Sequence, residues 1–337
     1  MLYEYAVVVG RFQPFHKGHT YLIDRALDLA DKVIVLVGSS FGARSPKNPF
    51  TFEERAGMIR LVMGEASSRV HIVGVRDHHD DSMWATDVAN KVGLSSDYSS
   101  SVVLVGHCKD ASGYYLSLFP EWDYSEQEPY RDEEGNVISA SDVRDWMFAE
   151  GSFRPKIPKP LTASCFPYMF VQSIRHVQLQ LREEYKYLKE YPKQWGSGPF
   201  ITVDPVVFHR GHVLVVTRGR VPGKGLLALP GGFMDLGERL LDGALRELKE
   251  ETGLVIDAST LVDQHVFDSP YRSLRGRTIT HAFNFVLDRA TEKLPNVQGA
   301  DDASEAFWMP IRECSSELFF DDHHDIITYF ATRDTTR

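Results

Sequence analysis

The chain has 337 residues, 43% of them hydrophobic and 25% charged, with 47 acidic against 37 basic side chains and a formal net charge of −10. That length exceeds what one core usually fills, so about two domains are expected, and the acidic balance argues against sequence-independent nucleic-acid binding while leaving room for local basic pockets. No stretch reaches the apolar length a bilayer requires, MLYEYAVVVGRF lacks the order of a signal peptide, and Cys108, Cys165 and Cys314 form neither a disulfide framework nor a CxxC pair, so a reducing, cytoplasmic setting is expected.

Residues 5–9 form a short apolar run ending at Gly10, which predicts a buried parallel strand. Thr20 to Asp31 carries Leu22, Ile23, Ala26, Leu27 and Ala30 at helical spacing, and residues 33–37 predict the next strand. Strand, helix, strand is a βαβ unit, and a doubly wound sheet binds ligands beyond the carboxyl ends of its strands, where Gly10 to His19 falls. In that loop Gly10 and Gly18 admit a ligand close to the backbone, while Arg11 and Lys17 supply charge for phosphates. His16 and His19 can donate to a phosphoryl group as charge builds, and the helix opening near Gly18 turns its amides toward an anion.

Further along, Thr51 suits the N-cap of a helix running to Val62. Asp77-His78-His79-Asp80-Asp81 lacks metal-ligand spacing, since consecutive residues cannot all converge on one ion. Residues 102–106 predict another strand, whose following loop, with His107, Lys109 and Asp110, also reaches the carboxyl edge of the sheet. Ser139 and Asp142 have capping-box-like spacing at a helix start, and Arg144 lies in the first turns, within reach of phosphates.

His16-Lys17-Gly18-His19 resembles the HxGH signature of the nucleotidyltransferases. The surrounding GRFQPFHKGH is similar to the archaeal-type nicotinamide mononucleotide adenylyltransferases, and Ile138 to Arg144 resembles that family's ISxTxxR element with Ser141 at the threonine position. The resemblance implies a Rossmann-like doubly wound domain in which Gly10, Arg11, Phe12, Gly18, Gly106, Asp110, Ser139 and Ser141 hold ATP. It also implies that Asn48, Arg55, Asp81 and Trp84 hold the mononucleotide, with the indole against its cationic ring. His16, His19, Lys17 and Arg144 would carry the catalysis.

After Arg144 the proline-rich segment 151–160 predicts a domain end, Val171 to Tyr191 a connecting helix, and Pro192 to Pro199 a second break. Short β-like runs follow at 201–203, 206–208 and 213–217. In Gly232 to Leu254, Glu247, Glu250 and Glu251 stand at i, i+3 and i+4, within roughly 60° of one another on a helix. Like charges so placed repel unless cations sit between them, and oxygen-only ligands select a hard divalent ion.

The whole pattern, from Gly232 through Glu238, Arg246-Glu247-Leu248 and Glu250-Glu251 to Gly253-Leu254, resembles the Nudix box with every fixed position filled. That resemblance implies an αβα sandwich in which Gly232, Glu247, Glu250 and Glu251 bind Mg²⁺ or Mn²⁺ and Arg246 holds the glutamates. Arg272, Arg275 and Arg277, around a glycine, suit a pyrophosphate or a ribose phosphate. Asp301-Asp302 is a candidate late carboxylate, and Asp321 to Asp325 is expected as a solvated terminal helix.

The two resemblances imply an α/β chain with an adenylyltransferase domain at 1–160, a connection at 161–199 and a Nudix hydrolase domain at 200–337. They imply two reactions, adenylyl transfer from ATP to nicotinamide mononucleotide, giving NAD, and metal-dependent cleavage of ADP-ribose to AMP and ribose 5-phosphate. The partners expected are small-molecule nucleotides, with neither nucleic acid nor membrane, and self-association stays open. The alternatives are an NrtR-like sensor role or another dinucleotide for the Nudix half, and a different phosphorylated acceptor for the first domain.

Overall fold

The computed structural model describes residues 2–78, 80–95, 101–107, 117–148, 175–287 and 293–334. Its contacts divide the chain into two compact units, Met1–Arg182 and Glu183–Arg337. Segment 151–160, expected to end the first domain, lies outside the described residues. Among those described, no helix is long and apolar enough to cross a membrane.

The first unit contains β1 (Tyr3–Gly10), α1 (Lys17–Leu29), β2 (Ala30–Val37), α2 (Phe52–Met63), β3 (Val70–Gly74), α3 (Asp81–Ser95), β4 (Val102–Gly106), β5 (Asp123–Glu126) and α4 (Ala140–Phe148). The five strands pair in parallel in the order β3-β2-β1-β4-β5. Alternation along β1 sends Ala6 and Val8 to the face covered by Leu22, Ile23 and Ala26 of α1 and Ile59 of α2. Tyr5 and Val7 go to the face covered by Val88 and Val92 of α3. The strand order reverses between β1 and β4, so the crevice at the carboxyl ends of these two strands is the ligand position that this topology leaves open.

Helix α1 starts at Lys17, beside the expected opening near Gly18, because His16, with extended φ −149° and ψ 173°, acts as its N-cap. Helix α2 begins where expected, with Thr51 Oγ1 accepting from Glu54 N at 3.3 Å and Glu54 Oε2 accepting from Thr51 N at 2.9 Å. Strands β3 and β5 were not anticipated, being short and lacking a bounded apolar run.

The second unit holds most of α5 (Arg175–Trp195), then β6 (Phe200–His209), β7 (His212–Arg218), β8 (Leu227–Ala228), β9 (Gly232–Phe233), α6 (Leu240–Thr252), β10 (Leu261–Phe267), β11 (Thr278–Val286), β12 (Ala303–Pro310) and α7 (His323–Asp334). Its sheet runs β10-β11-β6-β7-β12, with β11 parallel to β6 and the other pairs antiparallel. Val203, Val207 and Leu214 pack on Ala244 and Leu248 of α6, while Val206, Phe208 and Val213 pack on Ile326, Ile327 and Phe330 of α7. This is the αβα sandwich expected.

Three expectations change here. The runs 201–203 and 206–208 are one strand, because Asp204 is stabilised inside the sheet by Thr280 Oγ1, which donates to Asp204 Oδ2 at 2.5 Å. Helix α5 continues through Pro192, at the expense of the one main-chain hydrogen bond that residue cannot donate, and stops at Gly196, φ +78°, whose N–H donates to Pro192 O at 2.9 Å. Asp321 to Asp325 is not a solvated face: Asp322 and His323 are buried, and Arg272 reaches Asp322 through two bonds, at 2.7 and 2.9 Å. A tertiary partner 50 residues away reverses what local charge suggests.

Candidate active sites

In the first unit the loop between β1 and α1 folds back on itself. His16 N donates to His19 Nδ1 at 3.2 Å, and the two rings stack with centroids 3.7 Å apart. With Nδ1 accepting, neutral His19 carries its proton on Nε2, which makes that edge a donor. Phe12 meets the His19 ring edge-on at 4.8 Å and Phe15 stacks on it at 5.6 Å, so the ring is held in orientation as well as in tautomer. Arg144 joins this loop from 131 residues away: Nη1 donates to Gln13 O at 2.5 Å and Nη2 to Ser141 Oγ at 3.0 Å. Burial, reinforced by the neighbouring Arg11, holds the Arg144 guanidinium below its ordinary range. Ser139 Oγ accepts from Ser141 N at 3.2 Å at the start of α4. The loop therefore gathers His16, Lys17, Gly18, His19, Arg11 and Arg144 at the switch point of the sheet. Cationic groups drawn together at a strand-to-helix turn suit a polyphosphate.

Arg55 corrects an expectation. Its side chain is 1% exposed, and its guanidinium donates to Arg11 O at 2.7 Å, Gly38 O at 2.6 Å, Ser39 O at 3.2 Å, Thr51 O at 3.1 Å and Ser40 Oγ at 3.3 Å. Burial lowers its pKa to about 10. So engaged, Arg55 pins the loops after β1 and β2 to the start of α2 instead of reaching a mononucleotide. Arg55→Met leaves these carbonyls without a donor and should cost roughly 3 kcal/mol or more. Denaturant titration reads this, and an unchanged midpoint would show that the clamp carries no stability.

Gln13, unremarked in the sequence, performs a similar task, trading paired bonds with Phe50 at 2.9 and 3.0 Å. Asn48 lies just before this clasp, its N–H donating to Ser45 Oγ at 3.1 Å. Asp81 is exposed at the start of α3, and Trp84 is half-buried, 6.0 Å from the Phe119 ring. Gly106 ends β4 and accepts from Gln127 N at 2.7 Å. Asp110 lies outside the described residues.

In the second unit Arg246 is the centre of the box. Nε and Nη2 grip Glu238 at 3.1 and 2.7 Å, Nη1 reaches Glu247 and Glu250 at 2.9 Å each, and Nη2 also donates to Phe233 O. The bidentate bond pulls Glu238 down to about 2. Glu247 goes the other way, raised by burial against the pull of Arg246. Glu251 turns inward, accepts from Gly231 N at 3.1 Å, and is pushed up to about 8 by burial. A Cβ at Gly232 would stand 2.6 Å from Glu247 Oε1, and one at Gly231, φ +148°, 2.3 Å from Val203 O, so both positions require glycine for close approach.

Among the described residues no three carboxylate, imidazole or thiol groups are drawn together as a ready ligand set, because Arg246 is interposed between two of the glutamates and the third is buried. The donor set nevertheless fits a hard divalent ion. The donors are oxygens throughout, and burial raises the pKa values of Glu247 and Glu251, a cost to their charged forms that a cation beside them would offset.

The expected arginines separate. Arg272 is committed to Asp322, both side chains being 4% exposed. Arg277 donates to Asp268 O. Arg275 lies 5.5 Å from the Phe233 ring and 5.6 Å from that of Phe320. Asp302 pairs with Arg220 at 2.8 Å.

These two sites agree with known proteins. A cytidylyltransferase-like family model matches residues 7–145 and a NUDIX domain model residues 199–330. The chain is 36% identical to an Acinetobacter baylyi nicotinamide/nicotinic acid mononucleotide adenylyltransferase over 59% of its own length and 98% of the relative. It is 36% identical to a Methanocaldococcus jannaschii ADP-ribose pyrophosphatase over 38% of its length and 71% of that relative. A crystal structure of a bifunctional NMN adenylyltransferase/ADP ribose pyrophosphatase from Francisella tularensis superposes with TM-score 0.88 and 34% identity, covering 98% of this chain and 99% of that one. The chain belongs to the bifunctional NMN adenylyltransferase/ADP-ribose pyrophosphatase family. A second Francisella structure of that family, complexed with AMP and a manganese ion, has TM-score 0.86.

For a member of this bifunctional family, the residues that sequence reasoning overlooked are those whose partners are remote. Gln13 in the first unit and Gly231 in the second are the clearest, bonded to Phe50 and to Glu251.

Proposed function

We propose that the chain makes NAD from ATP and nicotinamide mononucleotide in its first unit and hydrolyses ADP-ribose to AMP and ribose 5-phosphate in its second. The observation that carries this reading is that each unit completes a phosphate-handling site from its own residues, 10–144 in one and 204–322 in the other. Its partners are small-molecule nucleotides, and its setting is the cytoplasm.

In the first reaction the mononucleotide phosphate attacks the α-phosphorus of ATP and pyrophosphate leaves. The nucleophile is already an anion, so the site needs no general base. Its task is to orient the reactants and to meet the charge that develops on the oxygens in line. Nε2–H of His19, fixed by the bond from His16 N, supplies one donor, and Lys17, Arg11 and Arg144 supply positive charge. Phe12, Phe15 and the bond from Arg144 to Gln13 O keep that arrangement rigid before substrate arrives.

In the second reaction Glu247, Glu250 and Glu251, with the main chain at Gly232, would hold Mg²⁺ or Mn²⁺. A bound divalent ion polarises the diphosphate and lowers the pKa of a bound water. Arg246 positions the glutamates, its bidentate grip on Glu238 anchoring the start of the box to its helix. The intact glutamates favour hydrolysis over an NrtR-like sensor role.

Chromatography of the purified chain tests both halves. Incubation with ATP and either nicotinamide mononucleotide or pantetheine phosphate should yield NAD and no pantetheine product. Incubation with ADP-ribose and Mg²⁺ should yield AMP and ribose 5-phosphate. Turnover of pantetheine phosphate but not of the mononucleotide would reject the first assignment, and intact ADP-ribose the second.

A further inference from the structure

The segment Leu229-Pro230-Gly231-Gly232 leads into the box with little of its own to fix its main chain. Pro230 has no N–H, the two glycines have no side chains, and only Gly232 lies in a strand, the two-residue β9. Its constraints come from elsewhere in the unit. Two are supplied by the box helix: Gly231 N donates to Glu251 Oε2 at 3.1 Å, and Glu247 Oε1 lies 2.6 Å from where a Cβ on Gly232 would stand. The other two come from outside the box. Leu229 N donates to His323 Nδ1 of α7 at 3.0 Å, and Asp204 Oδ1 of β6 lies 2.5 Å from the Cβ position of Gly231, so that this peptide rests against a carboxylate wall.

His323 and Asp204 are 8% and 5% exposed, and each is fixed in turn by a remote group. Thr280 Oγ1 of β11 holds Asp204 Oδ2 at 2.5 Å. Arg272 grips Asp322, the residue before His323, and Asp322 O accepts from Asp325 N and Ile326 N at 2.9 and 3.1 Å in the first turn of α7. The imidazole therefore enters the core at a set point. Burial, and then the charge of Arg272, hold His323 well below its ordinary range, so the ring stays neutral and Nδ1 is free to accept.

We propose that His323 and Asp204 are positioning residues for hydrolysis in the Nudix unit, bracing the main chain from Leu229 to Gly232 in register with the metal-binding glutamates of the box. Arg272 and Thr280 act through them, which gives the buried Arg272–Asp322 pair a geometric task where its net contribution to stability is small. The brace rests on the hydrolase reading and adds to it residues that lie outside the box. Groups that orient metal ligands from behind set affinity for the ion without touching it.

The test titrates Mn²⁺ by electron paramagnetic resonance, and measures kcat and KM for ADP-ribose at saturating Mg²⁺, in the full chain carrying His323→Ala, His323→Asn, Asp204→Ala or Asp204→Asn. The alanine forms should weaken Mn²⁺ binding by roughly 10- to 100-fold and lower kcat, with KM little changed. Asparagine at 323 offers Oδ1 to Leu229 N, and asparagine at 204 keeps both the wall against Gly231 and an acceptor for Thr280. Both asparagine forms should recover most of the lost affinity. NAD synthesis by the same preparations should stay at the wild-type rate, which reports an intact chain.

Wild-type Mn²⁺ affinity in the folded alanine forms would overturn the brace, because a purely structural role lowers Tm and leaves the ion's affinity alone. Equal loss in Asp204→Asn and Asp204→Ala would also overturn it, by showing that the charge acts on the ion and the packing does not. If an alanine form fails to fold, His323→Leu and Thr280→Val, which keep the volume and remove one hydrogen bond each, take its place under the same criteria. Weakened Mn²⁺ binding in the alanine forms of a chain that hydrolyses no ADP-ribose would instead sink the hydrolase reading and leave the brace standing.

Discussion

Glu250→Gln should reduce ADP-ribose hydrolysis by about 10²–10³-fold or more, the rate equivalent of losing several kcal/mol of metal-dependent charge stabilisation. NAD synthesis should continue at the wild-type rate. Glutamine keeps the size of the side chain and can still accept from Arg246 Nη1, which now lies 2.9 Å from Glu250 Oε2. What it removes is a negative charge that a divalent ion requires. The side chain is 46% exposed, so the exchange leaves no buried group unsatisfied and should not disturb folding. The adenylyl site draws its residues from 10–144, inside a compact unit that ends at Arg182. Both activities assayed on one preparation, with circular dichroism as the control, provide the measurement. Equal loss of both activities in a folded protein would refute the independence of the two sites.

His19→Ala should lower NAD synthesis by about 10²–10⁴-fold while ADP-ribose hydrolysis persists, because it removes a donor aimed at developing phosphoryl charge. The same side chain also has a structural task, accepting from His16 N at 3.2 Å at the head of α1. His19→Asn separates the two roles. The asparagine oxygen can occupy the Nδ1 position and keep the bond from His16, but nothing replaces the Nε2 donor. Thermal stability should therefore recover in His19→Asn relative to His19→Ala, and synthesis should not. Recovery of synthesis along with stability would mean that the histidine acts only by shaping the loop. His16→Ala should also be impaired, because it removes the ring stacked on His19 at 3.7 Å, although the main-chain bond that fixes the His19 tautomer survives.

The sequence alone determined the architecture and the two chemistries. Apolar runs such as residues 5–9 and 33–37, separated by one amphipathic helix, could be satisfied only as parallel strands buried on both faces. HKGH and the box from Gly232 to Leu254 are local, because a strand-to-helix turn and a single helix hold most of their residues, so their spacing is visible along the chain. Even there the sequence placed three glutamates on one face without revealing that Arg246 would stand between two of them and that Glu251 would turn inward to Gly231.

Only tertiary structure decided the fate of charged groups whose partners are remote. Arg55, which the resemblance places at the mononucleotide, spends its guanidinium on carbonyls up to 44 residues away, and Arg272 spends its own on Asp322. The physical reason is common to both. Local pattern reports which face of an element is apolar, whereas the role of a cation depends on whether folding supplies its donors with acceptors or leaves them open for a ligand.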